Sequence, residues 1–362
     1  MPDTPFRHPF TVGIEEELLL VDPGSFALSA SAEEILDRVS LGRDLIDHEL
    51  YAGQLELRSG RQTSATHAVE ALQTARAEIG RVGGQLLGVG VHPTSRFGDA
   101  VLVEEDRYRY ASSLFGGLMH RTPESALHVH VGLPDERSAV RTLNGFREYL
   151  PLLSGLAAGS PYWFGSDSGL ASSRASLVSA YPTRCAPPHV SSYAAYEEAV
   201  EGILGSTGLP DYTYVYWDVR LHPRYGTVEL REMDAQADLR AVAALAALAR
   251  GMAAAFAEGR LPVTPQAGDV LAWSGFRAAR DGVDAELSVA GRRQPLVEVL
   301  DGVLGVLRQS HEFPEDDEAL AELARLVEAG GTAGRQRATA GRLGLRGLLA
   351  ELADLTARQP PT

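Results

Sequence analysis

Two neighbouring segments alternate strictly between apolar and polar residues, which is typical of β-strands with one buried face. Segment 214–222 turns Tyr214, Tyr216, Asp218, Arg220 and His222 away from the apolar face formed by Val215, Trp217, Val219 and Leu221. Segment 227–233 sets Glu229 and Arg231 against Val228 and Leu230. Two such strands carrying acidic, basic and imidazole groups on one face predict a polar cavity floored by antiparallel strands.

Carboxylates recur on other predicted strands. Segment 11–20 places Glu15 and Glu17 on one polar face, about 7 Å apart along the strand. That spacing suits one metal cluster, and a solvated edge strand is the alternative. Glu16 falls on the apolar side, so we expect it at an edge or a bulge. Segment 49–58 predicts a further strand that carries Glu49 and Glu56.

Segment 126–132 has three apolar positions directed to the core, which leaves His128 and His130 together on the polar face. A single histidine on a strand is usually structural. Two on one face, in a chain rich in strand-borne carboxylates, favour contact with a ligand or a phosphate.

Helical periodicity indicates helices over seven segments: 63–86, 137–158, 193–204, 235–256, 296–307, 318–328 and 344–356. The charged aromatic segment 106–110 favours a helix surface over a site. Segment 159–192 is rich in Gly, Ser and Pro and predicts a non-helical binding loop. Arg174 lies in its middle among small residues, which indicates a position outside the core.

Composition narrows the class of protein. The chain has 362 residues, is 44% hydrophobic and carries a formal charge of -15, which argues against nucleic acid or membrane partners. No apolar run reaches bilayer length and residues 1–10 lack a signal-peptide pattern, so we expect a cytoplasmic protein. The single Cys185 excludes an internal disulfide and paired-cysteine motifs.

All 33 basic residues are arginine. The absence of lysine excludes Schiff-base lysine catalysis, pyridoxal-phosphate enzymes, Walker-type phosphate loops and the protein-kinase lysine. A protein of this composition that handles phosphates must use arginine and metal ions.

The candidate site gathers polar-face residues from distant segments. It contains Glu15, Glu17, Glu49, Glu56, His128, Glu229 and Arg231. Five carboxylates and one histidine exceed the needs of one Mg²⁺ ion, so we infer two or more ions, as in triphosphate chemistry. Arg231 and Arg220 are the expected cationic donors.

These motifs together resemble the type 2 glutamate-cysteine ligase family and its YbdK-like carboxylate-amine ligases, from about residue 11 to residue 252. The motifs that carry this resemblance are the segments 13–17, 127–132, 219–223 and 226–231, together with Glu49 followed by Glu56. The resemblance implies an α+β fold of the glutamine synthetase type, a curved, mainly antiparallel sheet forming a funnel with helices outside. We expect residues 1–258 to form the catalytic core, and helices in 259–362 to pack on it within one structural domain.

The resemblance also implies roles for individual residues. Magnesium, or alternatively manganese, would be held by Glu15, Glu17, Glu49, Glu56, His128 and Glu229. Arg231, Glu229 and Arg220 would be the catalytic residues, with Arg231 at the γ-phosphate or the acyl phosphate. His130 would lie beside the phosphates, and Arg174 and Arg220 would hold nucleotide phosphate or a substrate carboxylate.

The implied reaction joins glutamate to an amine with ATP, through an acyl phosphate. The segment 182–188 departs from the family pattern because Arg184 and Cys185 replace smaller residues. It is expected beside the acceptor, so the amine stays open. The alternatives are a guanidino-group phosphotransferase and a metal- or nucleotide-binding protein without turnover. Leucine-rich helices near the C-terminus are compatible with a homodimer or a larger assembly, and residues 359–362 with a disordered tail.

Overall fold

The computed structural model describes residues 5–358, so the expected disorder of 359–362 lies outside the described residues. Its strands are β1 (Val12–Leu20), β2 (Ile46–His48), β3 (Gln54–Arg58), β4 (Leu86–Leu87), β5 (Ala126–Gly132), β6 (Tyr162–Trp163), β7 (Ser166–Asp167), β8 (Val219–His222), β9 (Thr227–Asp234), β10 (Glu286–Val289) and β11 (Arg292–Pro295). The main sheet has the order β2-β3-β1-β5-β9-β8, with β4 beside β1, and all its strand pairs are antiparallel.

Helices connect these strands and follow them. They are α1 (Ala32–Leu36), α2 (Ala65–Arg81), α3 (Asp106–Phe115), α4 (Glu136–Ala157), α5 (Ser173–Val178), α6 (Tyr193–Thr207), α7 (Leu239–Ala257), α8 (Gly268–Asp281), α9 (Leu296–Ser310), α10 (Asp317–Glu328) and α11 (Gly331–Ala357). The last is broken at Gly344, where φ is 69°. The expected α+β class with a mainly antiparallel sheet is confirmed, and the sheet is open rather than closed into a barrel.

Side-chain caps fix the starts of two helices that pack against the sheet. The Ser64 side chain accepts a hydrogen bond from the His67 backbone N–H at the start of α2, at 3.2 Å. Asp135 accepts one from the Ser138 N–H at the start of α4, at 2.7 Å. Such caps satisfy backbone donors that have no partner inside the helix.

The core lies between the apolar face of the sheet and the long helices α2, α4 and α7. Close packing of α4 on α7 requires Gly145, because a Cβ at that position would lie 2.4 Å from the ring of Phe256. By length and composition α7 could cross a membrane, but 89% of its apolar window is buried inside the protein. It is therefore typical of the core helix of a soluble protein.

The strand predicted over residues 214–222 is much shorter in the structure than its alternation of apolar and polar residues suggests. Only Val219–His222 is a strand, and Tyr212–Tyr214 forms a turn of 3₁₀ helix. The backbone N–H groups of Tyr216 and Asp218 instead donate to the Thr183 hydroxyl and the Cys185 carbonyl, at 2.9 and 3.0 Å. A distant loop thus replaces a neighbouring strand as the hydrogen-bonding partner.

Other boundaries also differ from the expectation. Residues 159–192 contain the helix α5 and the hairpin β6–β7, so the prediction of a wholly non-helical segment is wrong. Residues 259–295 contain α8 and the hairpin β10–β11, which periodicity did not indicate. Apolar residues of α9 and α10 belong to the same buried cluster as those of α7. The division at residue 258 stays a prediction.

Candidate active site

The polar face of the main sheet carries the candidate residues side by side. The strand registers place Glu15 opposite His128, Glu17 opposite Glu56, and Glu229 opposite both His130 and Arg220. All ten candidate residues line one cavity of about 530 Å³: Glu15, Glu17, Glu49, Glu56, His128, His130, Arg174, Arg220, Glu229 and Arg231. Strand alternation explains the convergence of the strand residues, because neighbouring strands direct their polar positions to the same side, whereas Glu49 follows β2 and Arg174 lies on α5 (Ser173–Val178).

Three of these residues are arranged as metal ligands. One ligand atom each from Glu15, His128 and Glu229 lies within 4.8 Å of the others. Nδ1 of His128 is buried, has no hydrogen-bond partner within residues 5–358, and lies 3.6 Å from Oε2 of Glu15. Burial lowers the pKa of His128, with Arg231 adding to the effect, so its ring is held neutral as a metal ligand requires.

The neighbouring carboxylates, Glu17, Glu49 and Glu56, form an acidic cluster with more negative than positive charge around it. Burial raises the pKa of Glu49 to about 7, and the charge of Glu17 adds to this shift. Burial and the charges of Glu15 and Glu49 raise the pKa of Glu56 well above its usual range, although Glu56 contacts Arg58. Divalent cations would supply the missing positive charge, so the donor set fits the expected magnesium ions.

Glu229, the third member of this triad, lies between two arginines. Arg220 donates to it from Nε at 2.6 Å and from Nη2 at 3.2 Å, and Nη1 of Arg231 also contacts it. Burial alone would raise the pKa of Glu229, but Arg231 and Arg220 outweigh burial and hold the pKa well below its usual range. Glu229 is therefore ionised throughout the neutral range.

His130 lies beside this cluster, and one of its two ring nitrogens already has a hydrogen-bond partner. Its Nδ1 lies 3.0 Å from the hydroxyl of Thr227, while the buried Nε2 has no hydrogen-bond partner in the described chain. Burial lowers the pKa of His130, but Glu15 and Glu229 overcome that effect and raise it overall. With a proton on Nε2, the ring can donate to an anionic ligand.

A second cavity, of about 730 Å³, adjoins the first and shares Glu15, Arg58, His130 and Tyr225 with it. Its wall also carries Arg61 and Arg224. The first cavity carries carboxylates and arginines together, whereas arginines outnumber carboxylates on the wall of the second. This distribution of charge suits an anionic ligand that extends from the candidate metal ligands into the second cavity.

Arg174 does not lie in an exposed loop as its sequence context indicated. It is 3% exposed and belongs to α5. Its guanidinium donates to the carbonyls of Glu232 at 3.0 Å and Arg231 at 3.3 Å, which ties the loop to β9. The expectation that this residue lies outside the core is wrong, because the small residues around it allow close packing rather than exposure.

Several cavity residues were missed or misassigned from sequence. Arg107 and Tyr108 lie on α3 and line the cavity, although the charged aromatic pattern favours a helix surface over a site. Glu124, Tyr51 and Tyr181 also line the cavity. Both tyrosine hydroxyls lie 3.5 Å from the Glu124 carboxylate, and burial raises the pKa of Glu124 to about 7. No local pattern distinguishes these three from ordinary polar residues.

The comparisons with known proteins identify the family. The model of glutamate-cysteine ligase family 2 matches residues 11–344. The chain belongs to this family. A putative glutamate–cysteine ligase 2-3 of Rubrobacter xylanophilus is 36% identical over 363 residues, which cover 96% of this chain and 98% of the relative. A glutamate–cysteine ligase of Halobacterium salinarum is 32% identical over 308 residues, covering 81% and 85%.

A solved structure shares the fold of this family member. The glutamate–cysteine ligase of Francisella tularensis, solved in complex with AMP, has a TM-score of 0.73 and 13% sequence identity, covering 96% of this chain and 89% of that one. The resemblance inferred from the motifs is confirmed, and the family match continues well beyond residue 252, where recognisable motifs end. The expected enzyme class, an ATP-dependent carbon–nitrogen ligase, is likewise confirmed.

Proposed function

We propose that this member of glutamate-cysteine ligase family 2 forms γ-glutamyl amides. Glutamate, an amine or amino acid, and ATP would give the γ-glutamyl product, ADP and phosphate. The observation that supports this most strongly is the convergence of Glu15, His128 and Glu229 within 4.8 Å, beside an acidic cluster and two arginines. Such a site combines metal ligands with fixed cationic donors, as phosphoryl transfer requires.

The metal ligands in this proposal come from four strands and one turn. Two or more magnesium ions, with manganese as the alternative, would be held by Glu15, Glu17, Glu49, Glu56, His128 and Glu229. When bound, these ions supply positive charge to the phosphate oxygens of the nucleotide. The raised pKa values of Glu49 and Glu56 support this assignment, because metal binding would restore both groups to their ionised form.

Arg231 and Arg220 would act on the phosphoryl group that is transferred. Each uses part of its guanidinium to bind Glu229, and each keeps one buried nitrogen without a partner in residues 5–358, Nε of Arg231 and Nη1 of Arg220. Glu229 thereby fixes both side chains in position before a ligand arrives. Preorganised donors of this kind stabilise developing charge without further reorganisation.

His130 and Arg174 complete the proposed nucleotide contacts. The buried Nε2 of His130 and Nε of Arg174 have no hydrogen-bond partner in the described chain, and both residues line the main cavity. The adjoining cationic wall, which includes Arg61 and Arg224, would receive the outer part of the anionic ligand.

The reaction in this proposal proceeds without a nucleophile from the protein. A glutamate carboxylate oxygen attacks the γ-phosphorus of ATP, the bond to ADP breaks, and a glutamyl phosphate forms. The amine nitrogen then attacks the carbonyl carbon, phosphate departs, and the nitrogen loses a proton. The residues position the reactants and disperse charge, and their substrates would be small molecules of the cytoplasm.

The proposal is tested by incubating the protein with ATP, magnesium, glutamate and a panel of amines that includes cysteine. Mass spectrometry should detect a γ-glutamyl amide, with ADP and phosphate released in equal amounts. A phosphorylated substrate that keeps its phosphate would instead indicate a guanidino-type phosphotransferase. ATP binding without any turnover across the panel would indicate a binding protein.

A further inference from the structure

A separate cavity of about 470 Å³ lies on the other side of β9 from the active site. Arg231 lines the main cavity, whereas the next residue, Glu232, lines this one, as alternation along a strand requires. Asp218 also faces it, and Arg184 lies between the two cavities and lines both. The two spaces are therefore adjacent but chemically distinct.

Glu232 is the unusual feature of this cavity. The residue is 8% exposed, and neither carboxylate oxygen has a hydrogen-bond donor within reach in residues 5–358. An ionised carboxylate buried without partners is strongly unfavourable, so such a group either takes up a proton or pairs with a cationic ligand. Burial raises the pKa of Glu232 to about 8, with the charge of Asp218 contributing, which reflects the same lack of positive charge.

The neighbouring arginines already have other partners. Arg184 donates from Nη2 to the Arg231 carbonyl at 2.6 Å, and its Nε lies 3.2 Å from Oδ1 of Asp218. Arg147 is held by Glu148 and by the Pro187 carbonyl. The cationic side chains around the cavity therefore leave the Glu232 carboxyl without a hydrogen bond.

The opposite wall of the cavity is apolar and is formed by α4 and α8, with Leu150, Leu271 and Phe276 among its residues. A complementary ligand needs a cationic hydrogen-bond donor for the acidic wall and a short apolar body for the other wall. A hydrated divalent ion meets only the first requirement. A carboxylate-bearing ligand would meet two acidic side chains, and the two arginines of the cavity wall, Arg184 and Arg147, are already in ion pairs with Asp218 and Glu148.

We propose that this cavity is a binding site for a protonated aliphatic amine, with its ammonium group at Glu232 and Asp218 and its alkyl chain against α4 and α8. The site is distinct from the catalytic cavity, and the proposal does not rest on the proposed ligase reaction. Ser176 of α5 also lines the cavity, and its buried hydroxyl oxygen has no partner in the described residues and can accept a further hydrogen bond.

The test is calorimetric titration of n-butylamine into the whole protein, without ATP or glutamate. At pH 8.5 an alkylamine is still protonated and Glu232 is largely ionised. We expect Glu232→Gln to weaken binding by about tenfold or more, and Asp218→Asn to weaken it as well, because each removes a charged hydrogen-bond acceptor. n-Butanol, which has the same chain without the charge, should not bind.

Glu124→Gln is the matched control, because it changes a similarly buried glutamate that lines the main cavity and not this one. We expect this variant to bind n-butylamine as the wild-type protein does. Loss of binding in Glu124→Gln but not in Glu232→Gln would place the amine in the catalytic cavity and overturn the proposal. Absence of binding to the wild-type protein, or displacement of n-butylamine by calcium, would overturn it too. Since no turnover is measured, failure here leaves the ligase assay unaffected.

Discussion

Nε of Arg220 donates to Oε2 of Glu229 at 2.6 Å, across the antiparallel pair β8–β9. The two residues are nine positions apart in the chain, yet the strand register places them directly opposite each other. Glu229 therefore has two functions in the proposed site: it supplies a ligand atom to the metal triad and it fixes Arg220 and Arg231.

Replacing Glu229 with Gln should lower ATP turnover by at least about a hundredfold, the scale of losing one preorganised electrostatic contact. We expect the variant to fold with reduced stability, because Arg220 loses its charged partner while the Gln oxygen can still accept a hydrogen bond, and Glu15 and Glu17 still attract Arg231. Turnover is measured as phosphate release, and folding by circular dichroism. Wild-type turnover in a folded variant would show that the metal assignment is incorrect.

Magnesium should stabilise the protein against heat. A ligand present at a hundred times its Kd and bound only by the folded state adds about 2.7 kcal/mol. Glu56→Gln should reduce this stabilisation while leaving the metal-free Tm unchanged or higher, since it removes one of several mutually repelling carboxylates. Scanning fluorimetry with magnesium and with a chelator measures both effects. An equal magnesium shift in the variant would exclude Glu56 from the ligand set.

Glu16→Gln should destabilise the protein without a direct effect on the chemistry. Glu16 is fully buried and accepts two hydrogen bonds from Arg76, at 2.8 and 2.6 Å. Breaking a buried pair by removing one charge costs roughly 3–5 kcal/mol. Urea unfolding measures this loss. Glu34→Gln at the exposed pair with Arg38 is the control and should change stability little. Equal effects of the two changes would contradict a structural role for Glu16.

The cavity face was predictable because strand alternation is a local property. Glu15, Glu17, His128 and Glu229 each occupy a polar position of a strongly alternating segment, so their orientation follows from the sequence. The antiparallel order of the strands then brings them together. The family resemblance added the expectation that these strands form one curved, mainly antiparallel sheet.

Contacts between distant segments were not predictable in the same way. The partner of Glu16 is Arg76, 60 positions away on a helix whose pattern gives no sign of a buried cation. Glu16 therefore lies at neither an edge nor a bulge, but in the centre of β1 with its charge neutralised. The shortening of β8 has a similar origin, since the loop at Thr183 and Cys185 supplies its hydrogen bonds.

Arg174→Ala should lower both the stability and the affinity for nucleotide. The side chain donates to the carbonyls of Glu232 and Arg231, and its removal leaves both buried acceptors with fewer donors. The unpartnered Nε is the proposed nucleotide contact. Thermal unfolding and the KM for ATP measure the two effects separately. An unchanged Tm would contradict the packing role, and an unchanged KM the nucleotide contact.

The pH dependence of stability should report the buried carboxyl of Glu232. Its pKa is raised by burial to about 8, whereas an unfolded glutamate titrates near 4.3. Between these values the folded protein keeps a proton that the unfolded chain releases, so the free energy of unfolding falls as pH rises, by up to about 1.4 kcal/mol per pH unit. Below the pKa of the unfolded state and above the pKa of the folded state, Glu232 does not make the free energy of unfolding depend on pH.

Glu232→Gln removes this titration and leaves in place the other carboxyl groups whose pKa is raised, such as Glu49 and Glu124. The difference in unfolding free energy between variant and wild type should therefore grow in favour of the variant from pH 5 to pH 8. Urea unfolding at each pH unit measures that difference, and contributions common to both proteins cancel. Parallel profiles would mean that Glu232 ionises normally in the folded state, because only a group whose pKa changes on folding can make the two curves diverge.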